Sequence, residues 1–216
     1  MQAVCAGFIF ALSVAKSMMK DNHYSNCLVI GADSMSKLLN WNDRTTSVLF
    51  GDGAGAVILQ KFNNIDKKLN DWGILSNVIH SDGNSYDLLK TNGGVSNNQI
   101  SGFIEMSGKE IFKHAIDKLS LSLEEALLLS NKVINQIDWL VPHQANQRII
   151  LAVAEKLKMN SKKIISTVKH HGNTSAASIP LALSSSIENN TIKNNDVLAL
   201  CAIGGGLTWG SCILRL

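Results

Sequence analysis

At 216 residues the chain can bury a sizeable core, as one large domain or two small ones. Its composition is that of a globular protein, 45% hydrophobic and 17% charged, with a net charge of +3. Arginine occurs only at Arg44, Arg148 and Arg215 and the lysines are scattered, which argues against a nucleic-acid surface, where basic residues gather on one face. No apolar run reaches the roughly 18 residues needed to span a bilayer, so no membrane association is expected.

The chain opens M-Q-A-V-C-A-G-F-I-F-A-L-S-V-A-K. An export signal is one reading, with Ser13 and Ala15 as small residues before a cleavage point, but no Lys or Arg precedes the apolar stretch. The other reading is a helix over residues 5–20, apolar nearly all round and so buried on all sides. Cys27-Leu28-Val29-Ile30-Gly31-Ala32 reads as a buried strand. A polar loop through Arg44 leads to S-V-L-F-G-D-G-A-G-A-V-I-L-Q, expected to turn at its glycines and then run as a strand to Gln60. Residues 61–71 are polar and lysine-rich, the best linker candidate.

Further on, a strand is expected at 73–80, a long Gly- and Asn-rich loop to about 100, and helices near 107–119 and 122–131. W-L-V-P forms a strand that ends at His143, and a helix covers 147–157. I-I-S-T-V is a strand at 164–168, a helix follows from about 174 to 188, and strands run over 196–203 and 208–215. Alternating strands and helices predict an α/β protein with mostly parallel strands. The two ends match as a weak repeat: a helix opened by Cys5 or Asn173, a strand, a glycine stretch and a final strand. Residues 1–60 thus look like the last elements of a unit that residues 72–216 contain whole.

Cys5, Cys27, Cys201 and Cys212 have neither C-x-x-C spacing nor disulfide density, so reduced thiols and a cytoplasmic location are expected. His170 and His171 lack a second ligand pair at metal-binding spacing, so no metal is expected. Cys5 has two readings, a small buried hydrophobe or a nucleophile whose pKa is lowered at a helix N-terminus. His143 is either a satisfied structural histidine or a site residue at the carboxyl end of a strand, where α/β sheets handle ligands. Asn173 is an N-cap candidate or a site residue. G-D-G-A-G-A at 51–56 fits the dinucleotide pattern only formally, because A-V-I-L-Q after it reads as a strand and not a helix. A-I-G-G-G-L-T-W-G is either a tight turn or backbone offered to an oxyanion.

Taken together, A-V-C-A-G-F, L-F-G-D-G-A-G-A, D-W-L-V-P-H-Q-A-N-Q-R-I-I, H-G-N-T-S-A-A-S-I-P and G-G-G-L-T-W-G-S resemble, in order, the signatures of β-ketoacyl-acyl-carrier-protein synthase III, a condensing enzyme of the thiolase superfamily. The resemblance covers essentially the whole chain. It implies a thiolase-like αβαβα layered fold in which residues 1–60 are the remnant of an N-terminal half that lacks its front, and residues 72–216 are a complete C-terminal half. It further implies a Cys5-His143-Asn173 triad that condenses an acyl-CoA, usually acetyl-CoA, with malonyl-acyl-carrier protein. Backbone N–H groups of Cys5 and Gly205 would form an oxyanion hole. Arg44, Gly108, Phe112, Ala145 and Asn146 would line the CoA and pantetheine channel, and Arg148 would dock acyl-carrier protein. Ile203 and Leu207 are candidate walls for the acyl chain. No cofactor is implied beyond the two substrates, and family members are expected to be homodimers. The alternative reading is an inactive truncated remnant or one half of a split enzyme.

Overall fold

A computed structural model describes residues 1–20, 23–62 and 71–216. In chain order the elements are helix α1 (Gly7–Met18), strand β1 (Asn26–Ser34), helix α2 (Arg44–Ser47), strands β2 (Asp52–Gln60), β3 (Gly73–Ser81), β4 (Leu89–Thr91) and β5 (Ile104–Met106), and helix α3 (Gly108–Leu129). Then come strand β6 (Trp139–Pro142), helices α4 (Gln147–Lys156), α5 (Val168–His171) and α6 (Ser178–Glu188), and strands β7 (Val197–Gly204) and β8 (Thr208–Arg215). No helix among the described residues is long and apolar enough to cross a membrane.

The central sheet has the order β3-β8-β7-β6. Strand β7 is V-L-A-L-C-A-I-G, buried at every position, because both faces of the sheet are covered. One face, carrying Val197, Ala199 and Cys201, packs on α3 and α4 through Leu119, Leu123, Ile149 and Val153. The other, carrying Leu198, Leu200 and Ala202, packs on α1 and α6 through Phe8, Ile9, Leu12 and Ile179. Fully burying each such side chain stabilises by roughly 1.5–3 kcal/mol. Beyond α1 and α6 lies the antiparallel pair β1-β2. The layers are therefore sheet, helices, sheet, helices.

Several elements differ from expectation. Among the described strand pairs only β6-β7 is parallel, since a short turn makes β7 and β8 an antiparallel hairpin and β3 lies antiparallel on β8. Helix α1 is not buried all round: Val14 and Met18 are exposed, while Phe8, Ile9, Leu12 and Ala15 are buried in the core with Phe10 and Ala11 half-buried against it. The two helices expected at 107–131 are one, because no Gly or Pro interrupts them, and Ser122 turns its hydroxyl to Leu119 O and Ser211 Oγ without breaking the helix. The strand at 164–168 shrinks to one parallel bridge, Leu140 to Ile164. There the Gln144 side chain takes over the ladder: its Nε2 donates to Ile165 O, and its Oε1 accepts from the N–H groups of Thr167 and Val168. The helix expected from about 174 starts as a 3₁₀ turn, Ser175–Ala177, and becomes α6 only at Ser178. The long loop contains the short pair β4-β5. Most of the linker expected at 61–71 falls at residues 63–70, outside the described residues, while Asp71 pairs with Lys132 and Arg215 at 2.8 and 2.9 Å.

The G-D-G-A-G-A segment is strand rather than turn. In an extended strand alternate residues share a face, so Gly53 and Gly55 line one side of β2. A Cβ on Gly53 would lie 2.9 Å from Leu181 Cδ1, and one on Gly55 2.9 Å from Pro180 Cβ. Gly31, opposite Gly55 in β1, would set a Cβ 2.3 Å from Ala176 O. The glycines let the β1-β2 pair close onto residues 174–181. On the outer face Leu28, Ile30 and Ile58 are exposed.

Candidate active site

Cys5 lies in a 3₁₀ turn, Val4–Ala6, that feeds α1. Two constraints hold this turn against the end of β7. Thr208 Oγ1 donates to Ala3 O at 3.0 Å, and Gly204 presses so near that a Cβ there would stand 2.7 Å from Cys5 N. Val4 adopts φ 46° and Ser175 φ 51°, left-handed conformations that cost non-glycine residues of order 1–3 kcal/mol and persist only where packing over-determines them.

His143 follows directly on β6, and its N–H donates to Cys201 O of β7 at 2.7 Å. Its imidazole Nδ1 is 2.6 Å from Ser178 Oγ. Gln144, fully buried, pins the same corner by donating from Nε2 to Pro142 O at 2.7 Å. Asn173 is held between Leu49 O, which accepts its N–H, and Gly51 N–H, which donates to its carbonyl. Its side-chain Oδ1 accepts from Ser175 N–H at 3.0 Å. With the oxygen engaged there, the amide NH₂ is the end left for a ligand. Asn173 is therefore an N-cap neither of the 3₁₀ turn, whose N-cap is Thr174, nor of α6, whose N-cap is Ala177.

One stretch, N-T-S-A-A-S at 173–178, therefore touches all three residues. It contains Asn173, its Ser175 stands beside the Cys5 thiol, and its Ser178 bonds His143. The turn itself is tied to β1 by Asp33, whose Oδ2 accepts from Ala176 N–H at 3.0 Å. Ser175 lowers the thiol pKa, yet its buried Oγ has no partner of hydrogen-bonding geometry.

The electrostatics correct one expectation. Cys5 is not a depressed thiol: burial, opposed by Ser175 and reinforced by the Asp33 charge, pushes it up to about 11. At 3% exposure, desolvation of the thiolate outweighs the dipole of a single 3₁₀ turn. Burial also lowers His143 to about 4, with no carboxylate to oppose it. The ring is neutral at physiological pH. Cys201 and Cys212, in the central sheet, are pushed up to about 12 by burial and are core residues.

The remaining sequence candidates fall in three places. Phe112 and Arg148 come together, the guanidinium 5.3 Å from the ring centroid, with Arg148 exposed at the start of α4. Ala145 and Asn146 bridge His143 to α4, and Asn146 Oδ1 caps that helix by accepting from Ile149 N–H at 2.9 Å. Gly108 begins α3, just after β5, and Arg44 begins α2, which packs on β5. Gly205 follows Gly204 and lies against Leu89 O. Ile203 and Leu207 are buried in the cluster between the central sheet and α3. A groove of about 1140 Å³ lies elsewhere, between α1, β2 and α6, and none of the triad lines it. Ser175, Ser178, Gln144 and Gly204 carry no individual signal in the sequence, although S-A-A-S and G-G-G sit inside recognisable motifs.

Residues 1–83 match the sequence model of 3-oxoacyl-[acyl-carrier-protein] synthase III, and residues 127–216 match that of its C-terminal part. The chain belongs to the synthase III family. It is 53% identical to the β-ketoacyl-[acyl-carrier-protein] synthase III of Wolbachia pipientis subsp. Culex pipiens, over 99% of this chain and 65% of that protein. The counterpart in Ehrlichia chaffeensis is 51% identical, over 100% of this chain and 66% of its own length. The crystal structure of the Aquifex aeolicus synthase III superposes with a TM-score of 0.92 at 39% identity, covering 100% of this chain and 66% of that one. The chain thus spans about two thirds of the length of these synthase III relatives, and its thiolase-like α/β fold is theirs.

Proposed function

We propose that this chain carries the condensing centre of a synthase III-type acyltransferase that initiates type II fatty acid synthesis. The observation that supports the reading is the 173–178 stretch, whose Ser175 stands beside the Cys5 thiol, whose Ser178 meets the His143 ring and whose Asn173 has its side-chain oxygen already engaged. The Cys5 sulfur attacks the thioester carbon of an acyl-CoA, acetyl-CoA being the expected one, and its proton leaves with CoA as the free thiol. Malonyl-acyl-carrier protein then loses CO₂, and the electron pair of the broken C–C bond becomes an enolate. His143 and Asn173 donate hydrogen bonds to the enolate oxygen. The enolate carbon attacks the acyl-Cys5 carbonyl, Cys5 leaves as thiolate, and a 3-oxoacyl-carrier protein is released. Backbone N–H groups of Cys5 and Gly205 hold the oxyanion formed at the acyl carbon.

Arg44, Gly108, Phe112, Ala145 and Asn146 are assigned to the CoA and pantetheine path. Arg148, exposed above Phe112, is assigned to docking the acidic carrier protein, where a rim cation speeds encounter. The reaction as written needs no cofactor besides the two substrates. The four unpaired cysteines suit a cytoplasmic protein, and a homodimer is the expected assembly. Because Cys5 is mostly protonated at rest, its attack and its proton loss are expected to be concerted. Intact-mass analysis after incubation with acetyl-CoA tests the reading, on the chain alone and with the N-terminal third of a relative supplied in trans. An acetyl adduct that Cys5→Ala abolishes is expected; no adduct in either preparation overturns it.

A further inference from the structure

We infer that Ser178 is a positioning residue that fixes His143 as the Nε2–H tautomer, so that the ring presents a hydrogen-bond donor to the site. The geometry of one hydroxyl decides this. Ser178 is 2% exposed, and its Oγ has two neighbours within hydrogen-bond distance: His143 Nδ1 at 2.6 Å and the backbone N–H of Gln144 at 3.3 Å. The Gln144 N–H can only donate, so it occupies a lone pair of the serine oxygen. The serine proton then has one acceptor within reach, His143 Nδ1. Were Nδ1 protonated, two donors would point at Ser178 Oγ and its own buried O–H would lack an acceptor, which costs the full desolvation of that group. Nδ1 is therefore the unprotonated nitrogen, and a neutral ring carries its proton on Nε2.

Neither side of this contact can swing away. His143 is anchored through its own N–H on Cys201 O, and Gln144 is held by its side chain on Pro142 O, Ile165 O and the N–H groups of Thr167 and Val168. Ser178 is the first residue of α6, whose next turn is packed under the glycine face of β2. His143 Nε2 has no hydrogen bond among the described residues, so the proton it carries is the one a substrate oxygen can take. Asn173 is oriented by the same logic, its oxygen tied to Ser175 N–H and its NH₂ outward. The 173–178 stretch thus fixes which end of each side chain is the donor, and it leaves His143 unfit to act at rest as the base that deprotonates Cys5.

The catalytic consequence rests on the condensing function proposed above, but the tautomer does not, and it can be read in the resting protein. Long-range ¹H–¹⁵N correlation of ¹⁵N-histidine-labelled protein is expected to show the His143 Nε2 as pyrrole-type and Nδ1 as pyridine-type near pH 7. The Nδ1–H tautomer in the native protein overturns the inference whatever the activity. In Ser178→Ala the His143 signals are expected to shift toward the other tautomer. Turnover of malonyl-carrier protein on a pre-acylated enzyme should fall about 10²-fold, as when one oxyanion donor is lost, with KM little changed. Ser178→Cys, which keeps a weak donor of similar size, is expected to recover part of both. A Ser178→Ala variant that keeps the native tautomer and native turnover also refutes the inference. If Ser178→Ala does not fold, the native spectrum and the Ser178→Cys pair still decide. A native Nε2–H signal with no condensation by any variant would leave Ser178's role intact and count against the condensing function instead.

Discussion

Replacing Gly31 with alanine should loosen the site without touching any residue that would meet a substrate. Gly31 lies in β1 opposite Gly55, and its face is closed by the turn that carries Ser175 and leads to Ser178. An added Cβ would lie 2.3 Å from Ala176 O and 2.8 Å from Ala176 C. Both atoms are backbone, so no side chain can rotate aside, and strand and turn must part by about 1 Å to restore van der Waals contact. Overpacking of this kind costs about 1–3 kcal/mol. For a chain of this size each kcal/mol lowers Tm by about 2–4 °C, so a drop of about 2–12 °C is expected. The displaced turn also borders Cys5, whose alkylation by iodoacetamide should accelerate as the thiol gains water. Gly83→Ala is the control, because its Cβ meets nothing within 4 Å and should change stability by less than about 0.5 kcal/mol. Calorimetric melts of the two variants, with alkylation rates at fixed pH, make the comparison. If Gly31→Ala melts with Gly83→Ala and protects Cys5 as the native chain does, the close approach of β1 to the 175–177 turn is not what builds the site.

The native thiol, held at about 11, should be about 10⁻⁴ ionised at pH 7, so its alkylation should be slow and climb roughly tenfold per pH unit; a plateau near neutrality would refute this. Stability should depend on pH on both sides of neutrality. His143 falls from an ordinary 6.5 to about 4 on folding, so the unfolded chain takes up the extra proton. Stability from this group, on the order of 3 kcal/mol, is complete above pH 6.5 and is lost as pH falls toward 4. Cys5, Cys201 and Cys212 are raised above an ordinary 9.0, so folding should also weaken as pH rises past 9. Urea midpoints across this range check both limbs, and a flat profile below pH 6.5 would contradict the burial of a neutral His143. Asn146→Ala removes the N-cap of α4 and should cost about 1 kcal/mol, with Asn146→Asp recovering most of it; equal urea midpoints for the alanine and native proteins would refute the capping role.

Much of the architecture follows from local pattern alone. The apolar run of β7, the amphipathic spacing of α4 and the polar breaks between elements mark strands and helices within a residue or two of where they fold, because burial and hydrogen bonding act over neighbouring positions. The order of the motifs around Cys5, His143 and Asn173 is likewise a property of the chain read from end to end. Contacts between distant residues are not. Gly53 and Gly55 carry no sign of whether they turn or lie flat under α6; that depends on a helix more than a hundred residues later. Ile164–Val168 has the composition of a strand and loses it to the Gln144 side chain, a competitor its own sequence does not contain. Position at the front of a helix suggests an acidic thiol for Cys5, yet burial under β7 and the 175–177 turn sets the opposite direction. Which residues bear the chemistry is legible in sequence because it depends on side-chain type and order. How they are protonated and aimed depends on desolvation and on hydrogen-bond partners, and only the folded packing supplies both.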